Sequence, residues 1–301
     1  MTFSSKVKGE LCKGESFEGQ AELYGLLLFS KSFKFNNITF TTENKNVFER
    51  SRNLISAWYN DIIFDVVSPA YKKKFTFILN IPFYQDRAKI LKSLGYDKNE
   101  INLRIHKESI NTDEKVKSFL KGAFLSCGTI INPKTSYHIE FVVPYMNLAN
   151  DLANIISEVS SLTIIPSVME RKGSYIVYMK GNDNIVSFLT YIEAPLYAME
   201  VIQVSMLKEV RNYINRTTNF ETANLSKTTS AAAIQIESIK KIQSSGIFET
   251  MDNDLKELAH LRLDNPDMSL RNLGENLSKP LTRSGVNHKI QKLIKIAESI
   301  E

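Results

Sequence analysis

The feature of this sequence that most limits its possible folds is an apolar helical segment that occurs twice, each time around a central glycine. The two copies are Glu22–Ser30 (ELYGLLLFS) and Phe119–Cys127 (FLKGAFLSC), in which Gly25 and Gly122 stand at matching positions. A glycine inside a helix costs about 1 kcal/mol relative to alanine, so two matched glycines indicate a packing requirement. We therefore expect the two helices to approach each other closely at these glycines.

A similar order of elements follows each glycine-containing helix, with alternating apolar residues in the strands and helical apolar spacing between them. The expected elements are Ile38–Phe40, Val47–Trp58, Phe75–Leu79 and Asp86–Leu94 in the first copy, and Tyr137–Phe141, Leu148–Val159, Tyr175–Met179 and Asp183–Ile192 in the second. Chance similarity within an ordinary α+β protein is the alternative, and the agreement of four successive elements argues against it. The pattern predicts an N-terminal arm at 1–15 and a pseudo-twofold α+β domain at 16–205, with repeats at about 16–115 and 116–205.

Composition and charge narrow the class of protein. The chain has 301 residues, which is longer than one ordinary domain. Its net charge of +5 weakly favours an anionic partner. The distribution of charge is more specific, because six cations and one acid lie between Arg271 and Lys295. Cys12 and Cys127 have neither the number nor the spacing for a disulfide framework or a zinc site. With no apolar leader or membrane-length segment, the sequence predicts a cytoplasmic protein without a cofactor or a membrane partner.

The C-terminal third predicts an all-α domain. A helical stretch to Arg216 is expected to break at the polar cluster 217–220, which makes 206–220 a linker and 221–301 a separate domain. Helices are expected at Lys227–Gln243, Asp252–Leu263 and Leu270–Leu277, and a last helix begins after Thr282 or Ser284. Ser269 is the expected N-cap of the third of these helices. A short helix, a tight turn and a longer basic helix are the arrangement of a helix-turn-helix.

The last helix carries the residues expected to contact DNA. In a helix-turn-helix the N-terminal end of the second helix enters the major groove, and nearby cations contact phosphates. The residues expected to face bases are Arg283, Ser284, Asn287 and His288, and those expected to face the backbone are Lys279, Lys289 and Lys292. The alternative is that these lysines only form the solvated face of an amphipathic helix. The preceding turn and the small residues around Gly285 favour DNA contact.

The repeat in the first two-thirds resembles the monomeric LAGLIDADG homing endonucleases, which contain two αββαββα units. In that family the paired motif helices end in acidic residues that hold divalent metal over the scissile phosphates. The resemblance places these acids at Ser30 and Cys127, and neither residue is a carboxylate. Magnesium needs negatively charged oxygen ligands. The resemblance therefore implies a retained scaffold with no catalytic residues, no metal site and no nuclease activity.

Over nearly its whole length, the chain also resembles the WhiA family. The likeness is carried in order by Met1–Leu11, Asn219–Leu225, Leu263–Pro266 and Ser284–Lys289. Members of that family are bacterial regulators that tie transcription to sporulation or to cell division and chromosome segregation. The resemblance implies a non-catalytic, nucleoid-associated regulator that binds double-stranded DNA.

Three further hypotheses stay open at the level of sequence. The LAGLIDADG-like half could add a second DNA surface, for which Lys72, Lys73 and Lys74 are candidates. The chain could instead be a protein-interaction scaffold that recruits another transcription regulator or RNA polymerase and binds DNA only weakly. A residual nuclease is the third, and the absence of acids at the two motif positions argues against it.

Overall fold

The computed structural model describes residues 2–15, 18–59, 61, 65–67, 70–71, 74–98 and 102–300, with the side chains of 65–67, 70–71 and 74–75 left undescribed. The chain divides into two compact units, Met1–Lys208 and Glu209–Glu301, which we call the first and second units. None of the helices within these described ranges combines the length and the apolar content needed to cross a membrane.

The first unit contains seven complete helices among its described residues, besides a single 3-10 turn at Lys107–Ile110. The helices are α1 (Phe3–Leu11), α2 (Gly19–Leu28), α3 (Lys45–Trp58), α4 (Tyr84–Ser93), α5 (Asp113–Cys127), α6 (Met146–Glu158) and α7 (Asn182–Tyr191). The strands are β1 (Ser32–Lys34), β2 (Asn37–Thr42), β3 (Asp65–Val67), β4 (Ala70–Tyr71), β5 (Lys74–Phe75), β6 (Phe77–Asn80), β7 (Gly128–Ile130), β8 (His138–Val143), β9 (Ser167–Arg171) and β10 (Ser174–Lys180). Helix α8 (Pro195–Ser244) begins in the first unit and ends in the second.

Two antiparallel four-stranded sheets have matching topology, which makes the two halves of the first unit structural repeats. Their strand orders are β1-β2-β6-β3 and β7-β8-β10-β9. The matching elements of the two halves are therefore α2 and α5, β1 and β7, β2 and β8, α3 and α6, β3 and β9, β6 and β10, and α4 and α7. The first half also has a β4–β5 hairpin between its third and fourth strands. The predicted pseudo-twofold αββαββα architecture is confirmed.

Helices α2 and α5 meet at the two glycines, as the sequence predicts. A Cβ atom added to Gly25 would lie 2.2 Å from the carbonyl oxygen of Phe119, and one added to Gly122 would lie 2.0 Å from that of Glu22. Both distances are far inside van der Waals contact. Any side chain larger than hydrogen would therefore push the helices apart. At both sites the close packing that glycine allows outweighs the cost of its low helix propensity.

The short outer strands are absent from the sequence prediction. Strands β1 and β7 have three residues each, too few for an alternating apolar pattern to be recognised. The predicted strand Phe75–Leu79 is also divided, because Phe75 pairs within the β4–β5 hairpin and β6 begins at Phe77. Pairing with neighbouring strands sets these boundaries, so local sequence patterns do not show them.

Residues 2–15 do not form the separate arm that was predicted at 1–15. Helix α1 buries Phe3, Val7 and Leu11, which are spaced by four residues and join the core of the first unit. The Thr2 side chain caps the helix by accepting a hydrogen bond from the Ser5 amide over 3.2 Å. This stretch therefore belongs to the fold of the first unit.

The predicted helix break at 217–220 is wrong. Helix α8 continues through these residues, and all four are exposed. Thr217, Thr218 and Asn219 are weaker helix formers than alanine by less than about 0.7 kcal/mol each, and the cluster contains neither glycine nor proline. A polar composition without a backbone breaker is therefore compatible with a continuous helix.

Three helices and the larger part of α8, from Glu209 onward, form the second unit. They are α9 (Asn253–Asp264), α10 (Leu270–Glu275) and α11 (Arg283–Glu298), besides a 3-10 turn at Ile247–Thr250. The apolar face of α11 is buried at Val286, Ile290, Leu293 and Ala297, and Ile294 packs against it. Ile239 and Ile242 of α8 complete this core.

Candidate nucleic-acid interface

The turn between α10 and α11 is tightly held at both ends. The Ser269 side chain caps α10 by accepting from the Asn272 amide over 3.2 Å, and Thr282 caps α11 by accepting from the Gly285 amide over 3.3 Å. Thr282, rather than Ser284, is therefore the N-cap of α11. The Leu281 amide donates to the carbonyl of Gly274 over 3.0 Å, which closes the turn onto α10.

Side chains from α9 fix the position of this turn. The Glu257 carboxylate accepts hydrogen bonds from the amide and the hydroxyl of Ser278, both over 2.6 Å. These bonds to its ionised form lower the pKa of Glu257. Buried Arg262 donates to the carbonyls of Asn265, Pro266 and Met268 and holds the connection that leads into α10. The start of α11 is thus set by contacts with both preceding helices.

The four residues predicted to face bases are all exposed in the first two turns of α11. They are Arg283, Ser284, Asn287 and His288. Gln291 and Lys295 are also exposed and extend this surface by one and two further turns. Gln291 was not among the predicted residues, although its spacing of four residues from Asn287 places it on the same helix face. The structure therefore brings the predicted residues together on one surface of a well-anchored helix.

The three lysines expected near phosphates do not share one environment. Lys289 donates to the Asp254 carboxylate over 2.9 Å, and Lys292 lies 3.6 Å from the Asp252 carboxylate. The hydrogen bond from Lys289 lowers the pKa of Asp254. Lys279 is exposed in the turn, and its charge also lowers the pKa of Asp254. Lys289 and Lys292 thus link α11 to the start of α9, and a phosphate would have to compete with these carboxylates for them.

The two positions at which the resemblance places the LAGLIDADG acids have ordinary structural roles. The Ser30 hydroxyl donates to the carbonyl of Ser32 over 3.0 Å, and the Cys127 thiol donates to that of Ala123 over 3.4 Å. Near the end of α5, the Lys8 ammonium donates to the Leu125 carbonyl over 3.0 Å. Within the described part of the chain, no group of three or more His, Cys, Asp or Glu side chains could hold a metal ion. The helix ends therefore carry a hydroxyl and a thiol, and the partly buried ammonium group of Lys8 from α1 lies beside the end of α5.

We expect Cys127 to react slowly with thiol reagents in the native protein. Burial raises its pKa from 9.0 to about 12, so at about pH 8 its thiolate population falls about a thousandfold. Labelling with Ellman's reagent should be fast in guanidinium chloride and at least about a hundredfold slower in buffer. A Cys12→Ser variant isolates the signal of Cys127. Equal labelling rates in the native and denatured protein would contradict the expected burial.

The lysines suggested as a second DNA surface cannot be placed. Lys72 and Lys73 lie outside the described residues, and only the backbone of Lys74 is described, in β5. A DNA surface on the first unit stays a prediction.

Known proteins match this arrangement along the whole chain. A family model described as the WhiA LAGLIDADG-like domain matches residues 116–211, and one described as the WhiA C-terminal HTH domain matches residues 214–297. A Clostridium botulinum protein named "Probable cell division protein WhiA" is 36% identical, covering 100% of this chain and 99% of that protein. A Clostridium beijerinckii protein with the same name is 37% identical with the same coverage.

A solved structure has the same two-part organisation. Full-length DUF199/WhiA from Thermotoga maritima matches with a TM-score of 0.61 and 25% sequence identity, over 99% of this chain and 98% of that one. The fold predicted from sequence, a LAGLIDADG-like domain followed by a helix-turn-helix domain, is thereby confirmed. Since relatives more than one-third identical extend over its entire length, this chain belongs to the WhiA family.

Proposed function

We propose that this chain is a DNA-binding regulator that reads duplex DNA through α11 and does not cleave it. The main support is the exposed row Ser284, Asn287 and His288 at the start of a helix that follows an anchored turn. Such a helix can insert its N-terminal end into the major groove. The matches to the WhiA helix-turn-helix model and to proteins named for cell division support the same function.

The side chains suggest how bases are distinguished. Asn287 can bind the adenine edge through two hydrogen bonds, and Arg283 can bind guanine in the same way. Each such pair contributes about 1–3 kcal/mol of discrimination between bases. Lys279 and Lys295 lie exposed near the two ends of α11, where they can contact phosphates. Lys289 and Lys292 contribute to DNA binding only to the extent that phosphates displace Asp254 and Asp252.

Fluorescence anisotropy of the full chain tests this function. The DNA ligands are a random-sequence duplex and genomic fragments selected by the wild-type chain, each titrated across a salt series. An Arg283→Ala/Asn287→Ala variant should lose about thirtyfold or more of the affinity for selected fragments, because two base contacts are removed. Binding to the random duplex should weaken less and should fall steeply with salt in both proteins.

Lys227→Ala is the matched control, since it removes an exposed cation from α8. Its affinity for selected fragments should stay close to that of the wild type. If the Arg283→Ala/Asn287→Ala variant bound the selected fragments as tightly as the wild type, α11 would not be the DNA reader. If the wild type bound no duplex even at low salt, DNA binding itself would be refuted.

We expect no metal-dependent nuclease activity. The two helix ends that would hold catalytic metal carry Ser30 and Cys127, which supply no negative oxygen ligands at neutral pH. Supercoiled plasmid should stay intact with this chain and magnesium or manganese. Cleavage that EDTA abolishes and that co-purifies with the folded chain, but not with a mock preparation, would overturn this expectation.

The names of the relatives support a proposal for the biological role. Relatives along the whole length of this chain are named as cell division proteins. We therefore extend the proposal to a nucleoid-associated transcription regulator that acts in cell division and chromosome segregation. Double-stranded DNA is the primary partner in this proposal.

A further inference from the structure

A surface cavity of about 640 Å³ lies in the first unit, where β1, the end of α4 and the start of α6 come together. We call it the β1–α6 groove. The residues that line it include Phe33, Lys34, Tyr96, Lys98, Tyr145 and Met146. Its volume is within the range of about 300–1,000 Å³ that is usual for ligand sites. None of the proposed DNA-contacting residues lines it.

The pseudo-twofold symmetry gives this groove an equivalent location in the other half. After α4, the Tyr96 amide donates to the Leu91 carbonyl over 2.9 Å, and after α7 the Ala194 amide donates to the Leu189 carbonyl over 2.8 Å. The preceding residues, Gly95 and Glu193, both have positive φ, of 90° and 71°. The two helices thus end in the same way, and the chain after α7 is equivalent to one wall of the groove.

The other walls match in the same manner. Strand β1 corresponds to β7, and the start of α6 corresponds to the start of α3. Tyr145 is the N-cap of α6, and Asn44 is the N-cap of α3. The location equivalent to the β1–α6 groove therefore lies among β7, the start of α3 and the chain after α7.

Helix α1 fills that equivalent location. The Ser4 hydroxyl accepts from the Ile130 amide at the end of β7 over 3.4 Å, and the Ser5 hydroxyl accepts from the Asn44 side chain over 3.3 Å. At its other end, the Glu10 carboxylate accepts from the amides of Leu196 and Tyr197, over 2.9 and 3.3 Å. One helix thus contacts all three walls.

The open groove exposes apolar surface that an equivalent helix would cover. Tyr145 and Met146 are 43% and 55% exposed at its rim, and beneath them the buried rings of Phe33 and Tyr96 support the wall with centroids 5.3 Å apart. An apolar patch of this kind on a soluble domain is typical of an interaction site. The buried stripe of α1, with apolar residues at i, i+4 and i+8, shows which helix pattern suits these walls.

The charged groups that line the groove favour an occupant with an acidic residue on its polar side. Two lysines, Lys34 and Lys98, line it together with one acid, Asp97. The start of α6 has no side-chain cap, whereas Asn44 caps the start of α3. Free amide groups and a positive helix end attract a carboxylate. In the filled location, the Glu10 carboxylate of α1 accepts hydrogen bonds from the free amides at the start of α8 in the same way.

We propose that the β1–α6 groove binds an amphipathic helix of a partner protein, with apolar residues at i, i+4 and i+8 and at least one acidic residue. This is recognition of a helix in a groove, and it uses the same architecture that holds α1 in the other half. The partner helix comes from another protein, because α1 of this chain is already buried in the core of its own first unit.

A displayed library of helical peptides of about 14 residues, or four turns, tests the proposal with the full chain as bait. Enriched peptides should be acidic and should carry apolar residues at i, i+4 and i+8. Their affinity, measured by anisotropy, should fall by about tenfold or more for Met146→Glu and for Lys34→Glu/Lys98→Glu. Met169→Glu, which changes an exposed methionine on β9 that does not line the groove, is the matched control and should bind as the wild type does.

Met146 is exposed, so its substitution should leave the melting temperature unchanged, and this measurement separates a lost site from a lost fold. The proposal is overturned if no peptide is enriched, or if enriched peptides bind Met146→Glu as tightly as the wild type. It is also overturned if sedimentation velocity shows a dimer that Met146→Glu dissociates, because a second copy of the chain would then be the occupant. DNA affinity should be unaffected by Met146→Glu, so the outcome is independent of the proposed DNA-binding function.

Discussion

Replacing Gly122 with alanine is expected to lower the free energy of unfolding of the first unit by about 3 kcal/mol. The added Cβ would lie 2.0 Å from the Glu22 carbonyl oxygen and 3.0 Å from the Leu26 amide nitrogen. Both are backbone atoms inside a helix, so they cannot rotate away as a flexible side chain could. The two helices would have to separate, and the core around Tyr24 and Phe119 would loosen with them.

The change is measured by urea denaturation, followed by the fluorescence of Trp58, the single tryptophan of the chain. Gly25→Ala should give a similar loss, because its Cβ would meet the Phe119 carbonyl oxygen at 2.2 Å. Gly9→Ala in α1 is the matched control, since the nearest atom is a side-chain nitrogen at 3.4 Å. It should be neutral or stabilising by up to about 1 kcal/mol. Equal stabilities of Gly122→Ala and Gly9→Ala would show that the helices do not need this glycine.

Replacing Glu22 with alanine is expected to destabilise the first unit by about 3–5 kcal/mol. Glu22 is fully buried and forms a two-point ion pair with Arg50, in which the second guanidinium nitrogen donates over 2.8 Å. The Arg50 side chain is only 10% exposed. Without Glu22, its charge keeps only the carbonyl oxygens of Cys12 and Gly14 as partners among the hydrogen bonds described. A buried cation that has lost its directly bonded carboxylate accounts for the large loss.

The same denaturation experiment measures this effect. A Glu22→Leu/Arg50→Met variant should recover much of the lost stability, because it removes both charges and keeps similar volume. Glu158→Ala is the matched control, since it breaks an ion pair with Lys107 in the same unit whose side chains are about 60% exposed. Its effect should stay below about 1 kcal/mol. A loss for Glu22→Ala as small as that of Glu158→Ala would contradict the predicted role of the pair.

Features that depend on local chemistry were predictable from the sequence. A glycine inside an apolar helix has a local energetic cost, so Gly25 and Gly122 by themselves indicate where the two helices cross. Ser269 was recognisable as an N-cap, and Thr282 as one of two candidates with Ser284, because a cap acts within its own first turn. The spacing of Arg283, Asn287 and His288 along one helix likewise predicted that they share a surface. The predicted break at 217–220 was wrong because a helix end was inferred from polar residues alone, although this segment contains no glycine or proline.

Features that depend on distant contacts required the tertiary structure. Lys289 and Asp254 are 35 positions apart, and no local pattern could show that a carboxylate of α9 holds this lysine beside the proposed DNA surface. The packing of α1 against β7, α3 and the start of α8 is also non-local, so residues 1–15 looked like an arm. The sequence alone thus determined most of the helices, where α2 and α5 must touch and which family the chain belongs to. Only the tertiary structure decided which charges are paired and which of two equivalent grooves is filled, because both depend on side chains brought together by folding from distant parts of the chain.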